Sequence, residues 1–214
     1  MRIILALMST VALAGCVTLL PEPPPPPALF VLEAGNVQRV EGAPVDAVIS
    51  VAQPGGERAI LGADLIWRTG DSLAYVNQVQ WSGRADARLQ ALLVETISRQ
   101  GRARAAVRSG SAQSDYEVRW DVLDFEVVES GGGFSAHFSA DVKIVDTGRR
   151  VLASEIITAE APVSSRSSSA AADGLARAAR EGSARIALLA ADTAAQAEAQ
   201  AAEEVQSRAA SINR

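Results

Sequence analysis

The chain has 214 residues, 48% apolar and 21% charged, enough for one domain with a sizeable core and short flanking segments. A formal net charge of −5 and a single lysine, Lys143, exclude the basic surface that nucleic-acid binding needs. One cysteine, Cys16, leaves no internal disulfide or paired-cysteine motif, and one histidine, His137, leaves no site built on two.

Residues 1–15 open with Arg2, continue through an apolar run from Ile3 to Leu13, and close on small residues. The run is shorter than the roughly 20 apolar residues that a membrane-spanning helix requires. A basic start, a short apolar centre and a small-residue end read as a secretory signal peptide. Leu13-Ala14-Gly15-Cys16 then matches the lipobox of bacterial lipoprotein precursors. Small Ala14 and Gly15 give a peptidase access to the backbone, and only a thiol can take a diacylglycerol thioether. The resemblance implies a mature chain beginning at Cys16 with a diacylglycerol and an N-acyl (palmitate) chain, a stable anchor because more than one chain is attached. Val17, where inner-membrane lipoproteins carry Asp, implies sorting to the outer membrane, facing the periplasm.

Residues 16–27 form a tether. Pro21 to Pro27, "PEPPPPP", cannot sustain a hydrogen-bonded element and favour polyproline II, a stiff spacer of roughly 20 Å. The domain is expected over 28–191. "ALFVLEAG" and "VDAVISVAQP" read as strands, and Leu65-Ile66-Trp67 with Leu73 to Val76 read as a hairpin about Thr69-Gly70-Asp71-Ser72. "SGRADARLQALLVETISRQG" is a helix with Leu89, Leu92, Leu93 and Ile97 on one face, Ser82 as a cap and Gly101 as the stop. "ARAAVR" is a further strand.

Three long strands follow: "DYEVRWDVLDFEVVE", "FSAHFSADVKIVD" and "RVLASEIITAEAPV", joined by turns at Ser130–Gly133 and Asp146–Arg149. The middle strand sets Phe134, Ala136, Phe138, Ala140, Val142 and Ile144 against Ser135, His137, Ser139, Asp141 and Lys143. A phase change between Val122 and Leu123 marks a bulge or cover on both faces. After the polar loop "SSRSSS" a long helix starts near Ser169 and carries Leu175, Ala178, Gly182, Ile186 and Leu189 on one stripe. Residues 192–214, rich in Ala, Gln and Glu, are expected as a helical or frayed tail. The expected fold is α+β: a mostly antiparallel sheet with a long-stranded meander and two helices on one face.

No constellation stands out as catalytic. Ser135, Ser139 and Asp141 share a strand face with His137, but side-by-side strand positions supply neither a strained turn nor an oxyanion hole. Gly131-Gly132-Gly133 lacks the lysine and helix start of a phosphate loop. Asp115, Glu117, Asp121, Asp124, Glu126 and Glu129 alternate with apolar residues, a charged sheet face rather than a calcium loop. Neither a metal nor a cofactor is expected. Trp67, Tyr75 and Trp81 concentrate aromatic content in one hairpin region. They read as core packing or, alternatively, as an apolar patch that takes a partner or an acyl chain.

Pro54, Arg58, Ile60, Ile66 and Arg68, then Leu73, Tyr75 and Trp81, then the helix face Leu89, Leu92, Leu93 and Ile97, resemble the ABC-type transport auxiliary lipoproteins. This family includes the lipoprotein partner of the paraquat-inducible system. The likeness covers Leu29 to Ala191, although "QWSGRADARL" keeps only the tryptophan of the family's helix start. It implies a non-enzymatic, outer-membrane-anchored periplasmic accessory of intermembrane (phospho)lipid transport. Its partners would be an inner-membrane permease and ATPase and a subunit with a mammalian-cell-entry domain; a homo-oligomer is compatible with it. The competing reading is an envelope-assembly lipoprotein that binds cell-wall synthases or outer-membrane machinery.

Overall fold

Strand β7 (Tyr116–Ser130) organises the sheet in a computed structural model that describes residues 25–212. Cys16 and the start of the tether lie outside the described residues. On one side β7 pairs antiparallel along its length with β8 (Gly133–Asp146), which pairs antiparallel with β9 (Val151–Val163). The first turn holds Gly131 and Gly132 at φ 60° and 79°, the left-handed pair that a tight hairpin requires. The register slips between Val122 and Asp124, so Leu123 is turned out of the alternation and is 44% exposed, the bulge that the phase change predicts.

The other side of β7 is shared among three shorter strands, all parallel to it. Its start pairs with β2 (Val45–Val51), its middle with β3 (Gly55–Gly56) and its end with β4 (Asp64–Thr69). β4 forms the expected hairpin with β5 (Ser72–Trp81), with Gly70 at φ 58° in the turn. Beyond β5 lies β1 (Ala28–Phe30), parallel to it, and beyond β2 lies β6 (Ala103–Arg108), also parallel. The sheet is therefore mixed rather than purely antiparallel. The physical reason for β2 and β6 is the helix between them, since parallel neighbours need a crossover long enough to return to the same end.

That helix, α1 (Ala85–Gln100), buries Leu89, Leu92, Leu93 and Ile97 and stops at Gly101, φ 73°. Ser82 does not cap it. The residue before the helix is Arg84, and the Ala85 N–H donates to the Gly62 carbonyl of the preceding loop at 2.7 Å. Ser82 Oγ is left buried without a hydrogen-bond partner.

Helix α2 (Ser168–Ile212) begins where Ser167 Oγ accepts the Ala170 N–H. It crosses the sheet on a face of Ala171, Leu175, Ala178, Gly182 and Ile186. Small residues let the backbones approach: a Cβ on Gly182 would fall 2.3 Å from the Phe138 ring, and one on Gly174 2.5 Å from Val163. The two helices meet where Gln100 Nε2 donates to the Ala184 carbonyl, and they share one core with the sheet. The packed part of α2 reaches Ala194, and from residue 199 to 211 the helix is exposed. Along β9, Arg177 and Arg185 of α2 donate to the carbonyls of Pro162 and Thr158.

Candidate functional site

The aromatic residues of the first hairpin separate into two environments. Trp81 is 2% exposed and stacks on Phe125 at 5.7 Å between centroids, inside the core. Trp67 lies opposite Ala74 and points toward the same core, where it meets Phe134 edge-on at 5.3 Å. Tyr75, opposite Ile66, points the other way and is 60% exposed. An indole wall is nevertheless accessible: Trp67, Ala74, Tyr75, Val76, Asn77, Arg166, Ser167 and Ser168 line a cleft of about 350 Å³.

Polar contacts hold that wall in place. Trp67 Nε1 donates to Glu129 Oε2 at 3.3 Å, Thr69 Oγ1 donates to the same oxygen, and Arg166 pairs with it at 3.1 Å. The Arg166 guanidinium sits 5.4 Å from the indole centroid, a cation–π contact. Arg166 was legible only as the one charge in a serine-rich loop, and Glu129 only as one acid of an alternating strand. Their convergence depends on β4 lying beside the end of β7, which has no local signal.

On the sheet face away from the helices, Ser135 Oγ and His137 Nε2 are 2.7 Å apart, and His137 Nδ1 lies 3.6 Å from Glu160 Oε1. The acid comes from β9, directly across from His137, and not from Asp141 on the same strand. The order of groups is that of an acyl-transfer triad, but the setting differs. A Nδ1–Oε1 separation of 3.6 Å exceeds a hydrogen bond. β8 is also laddered on both edges through this region, so its N–H groups serve the sheet and cannot form an oxyanion hole. Glu126 stands across from His137 on the other side, 2% exposed, held by Arg68 and with Oε2 unpartnered. The bond to Glu126 holds the Arg68 pKa above its ordinary value.

Elsewhere on that face Lys143 bonds Asp141 at 2.6 Å, which raises the lysine's pKa. Four of the six acids that the sequence groups along this strand are likewise held in ion pairs: Glu117 with Arg119, Asp115 with Arg104, Glu126 with Arg68 and Glu129 with Arg166. Among the described residues no three His, Cys, Asp or Glu side chains converge as a metal site. No described helix is long and apolar enough to cross a membrane.

A family model for the ABC-type transport auxiliary lipoprotein component matches residues 30–187. The chain belongs to this auxiliary lipoprotein family. The structure of a protein from Xanthomonas campestris superposes with a TM-score of 0.74 at 24% identity, covering 81% of this chain and 99% of that one. A second solved structure, of an uncharacterised protein, gives a TM-score of 0.60 at 17% identity over 76% of this chain and 97% of its own. Both likenesses are of fold. A comparison with curated proteins returns no match. Within the auxiliary-lipoprotein match, Pro54, Ile60, Ile66, Trp81 and the α1 face are buried, so the positions that carry the resemblance are mostly those that build the core.

Proposed function

We propose that this chain is the acylated, non-catalytic accessory subunit of an ABC-type system that moves phospholipid between the two membranes of the envelope. Cys16 carries the lipid and holds the domain on the periplasmic face of the outer membrane. The domain docks or steadies the periplasmic end of the conduit, through a subunit with a mammalian-cell-entry domain that works with a permease and an ATPase. The observation that carries this reading is the family match over 30–187, set a short tether downstream of Leu13-Ala14-Gly15-Cys16. The non-catalytic role is supported by the His137 setting, where no backbone donor is free to stabilise an oxyanion.

Two experiments test it. Affinity purification of the detergent-extracted chain should recover the subunit with the mammalian-cell-entry domain together with its permease. Recovery of cell-wall synthases and no transporter would transfer the protein to the envelope-assembly reading. A Cys16→Ala variant should move from the membrane pellet to the soluble periplasmic fraction, and retention in the pellet with unchanged mobility would exclude acylation at that residue.

A further inference from the structure

Eight large apolar side chains are substantially exposed among the described residues, and four of them lie on the β1–β5 edge of the sheet: Leu29 at 63%, Val31 at 50%, Leu73 at 45% and Tyr75 at 60%. They share a face. Phe30 and Leu32 turn toward the core, so Leu29 and Val31 between them turn outward. Trp67 and Ala74 are a cross-strand pair on the side of the sheet that carries Phe134, so Leu73 and Tyr75, paired with Arg68 and the buried Ile66, lie on the other side, where both are exposed. Apolar surface gathered along one edge, rather than scattered, marks a contact.

The same edge receives the tether. β1 begins at Ala28, and residues 17–27 separate it from Cys16, a reach of roughly 30 Å if extended as polyproline II. Leu29 therefore stands where the tether ends. The parallel register of Ala28 with Val79 brings the chain to β1 from the side of Gln78, the same side on which β5 carries Tyr75 and Leu73. The entry of the chain into the domain and the apolar strip thus share one edge. A strand from another protein is a poorer occupant. Gln78 is left-handed at φ 57° and the β4–β5 register breaks between Asp64 and Ile66, so the edge is interrupted rather than long and flat.

We infer that the β1–β5 edge is a second membrane contact: Leu29, Val31, Leu73 and Tyr75 enter the headgroup layer of the bilayer that holds the acyl anchor, and fix the domain edge-on to it. This rests on the proposed acylation of Cys16. Leucine and valine supply apolar area, and a tyrosine with its ring in the interface and its hydroxyl in water suits that depth. An acyl anchor alone leaves the domain free to rotate, and the strip removes that freedom.

Cys16 is the only cysteine, so in the acylated chain a newly introduced cysteine can be labelled uniquely. Nitroxide labels are placed through Leu29→Cys, Leu73→Cys and Tyr75→Cys, with Val151→Cys and Ile156→Cys as exposed apolar controls on β9. The full acylated chain is reconstituted into phosphatidylethanolamine–phosphatidylglycerol vesicles. Labels at 29, 73 and 75 should lose accessibility to a water-soluble nickel chelate and gain accessibility to dissolved oxygen, while those at 151 and 156 stay unchanged. Adding Tyr75→Asp to the Leu73→Cys chain should restore nickel accessibility at 73. If the chain floats with the vesicles and the edge labels remain as open to nickel as the controls, the edge contact is wrong and the anchor stands. Failure of the chain to float overturns the anchor and the proposal with it. Burial of labels 73 and 75 only when the transporter subunit is added would assign the edge to a protein and likewise overturn the proposal.

Discussion

β8, of 14 residues, and β5, of 10, have opposite surroundings. β8 is laddered on both sides, and Phe138 at its centre meets Phe125, Trp120 and the bare backbone of α2 at Gly182. β5 has β1 beside only its last residues, breaks register midway, and turns Leu73 and Tyr75 to the outside. One strand keeps its apolar side chains for the core, and the other spends part of them on an outer face where they do not hold the fold together. The difference teaches where to look for encounter surfaces: pairing along both edges marks the part of the sheet that sustains the domain, and an edge left largely unpaired beside outward apolar residues marks the part left for contact.

Substitutions can break or sharpen that comparison. The largest effect is expected at Phe138→Ala, a loss of about 4 kcal/mol for a fully buried aromatic, read as a lower denaturant midpoint with unchanged slope. Arg68→Ala comes next. It leaves the buried Glu126 carboxylate without its partner and should lower stability by about 3 kcal/mol, and a second change, Glu126→Gln, should recover part of the loss in thermal melts. No recovery would mean that Arg68 acts through packing alone.

Asp86 gives a smaller, pH-dependent effect. Burial works to raise its pKa, but bonds from Arg84 and the Ala87 N–H outweigh this and hold it below the ordinary carboxylate value. A lowered folded pKa stabilises the fold above the unfolded value of about 3.9, and that contribution disappears as pH falls through the folded value. Asp86→Asn should thus cost about 1 kcal/mol near neutrality, and the two melting curves should converge in acid. A gap that persists in acid would rule out charge as the cause. The smallest effect is expected at Tyr75→Ser, within about 0.5 kcal/mol of the parent. A loss there comparable to that of Phe138→Ala would erase the distinction between the two strands.

Features written in neighbouring residues were the legible ones. The meander, its two turns, the bulge at Leu123, the buried face of α1 and the stop at Gly101 all follow from local spacing. The parallel partners of β7 did not, because residues such as Val51 and Val118 or Trp67 and Val127 are far apart in sequence and alternation reports faces, not neighbours. Ser82 failed as a cap because a tertiary acceptor, the Gly62 carbonyl, took the first N–H of α1. The aromatic cluster was legible as a group but not in its division. Trp67 and Tyr75 are on facing strands but occupy opposite faces, and only the cross-strand register reveals it. Glu160 was hidden in the same way, since its place beside His137 depends on the β8–β9 register rather than on the strand that carries the histidine.

The two arginines of α2 that reach β9 have a consequence for crowding. An outer strand with open acceptors invites a neighbouring chain to add to it, most of all where chains are concentrated. Arg177 and Arg185 occupy the carbonyls of Pro162 and Thr158, and Pro162 has no N–H to offer. That half of β9 is therefore a poorer template for another strand. The helix that closes the core thus also shields part of an outer strand against edge-to-edge addition.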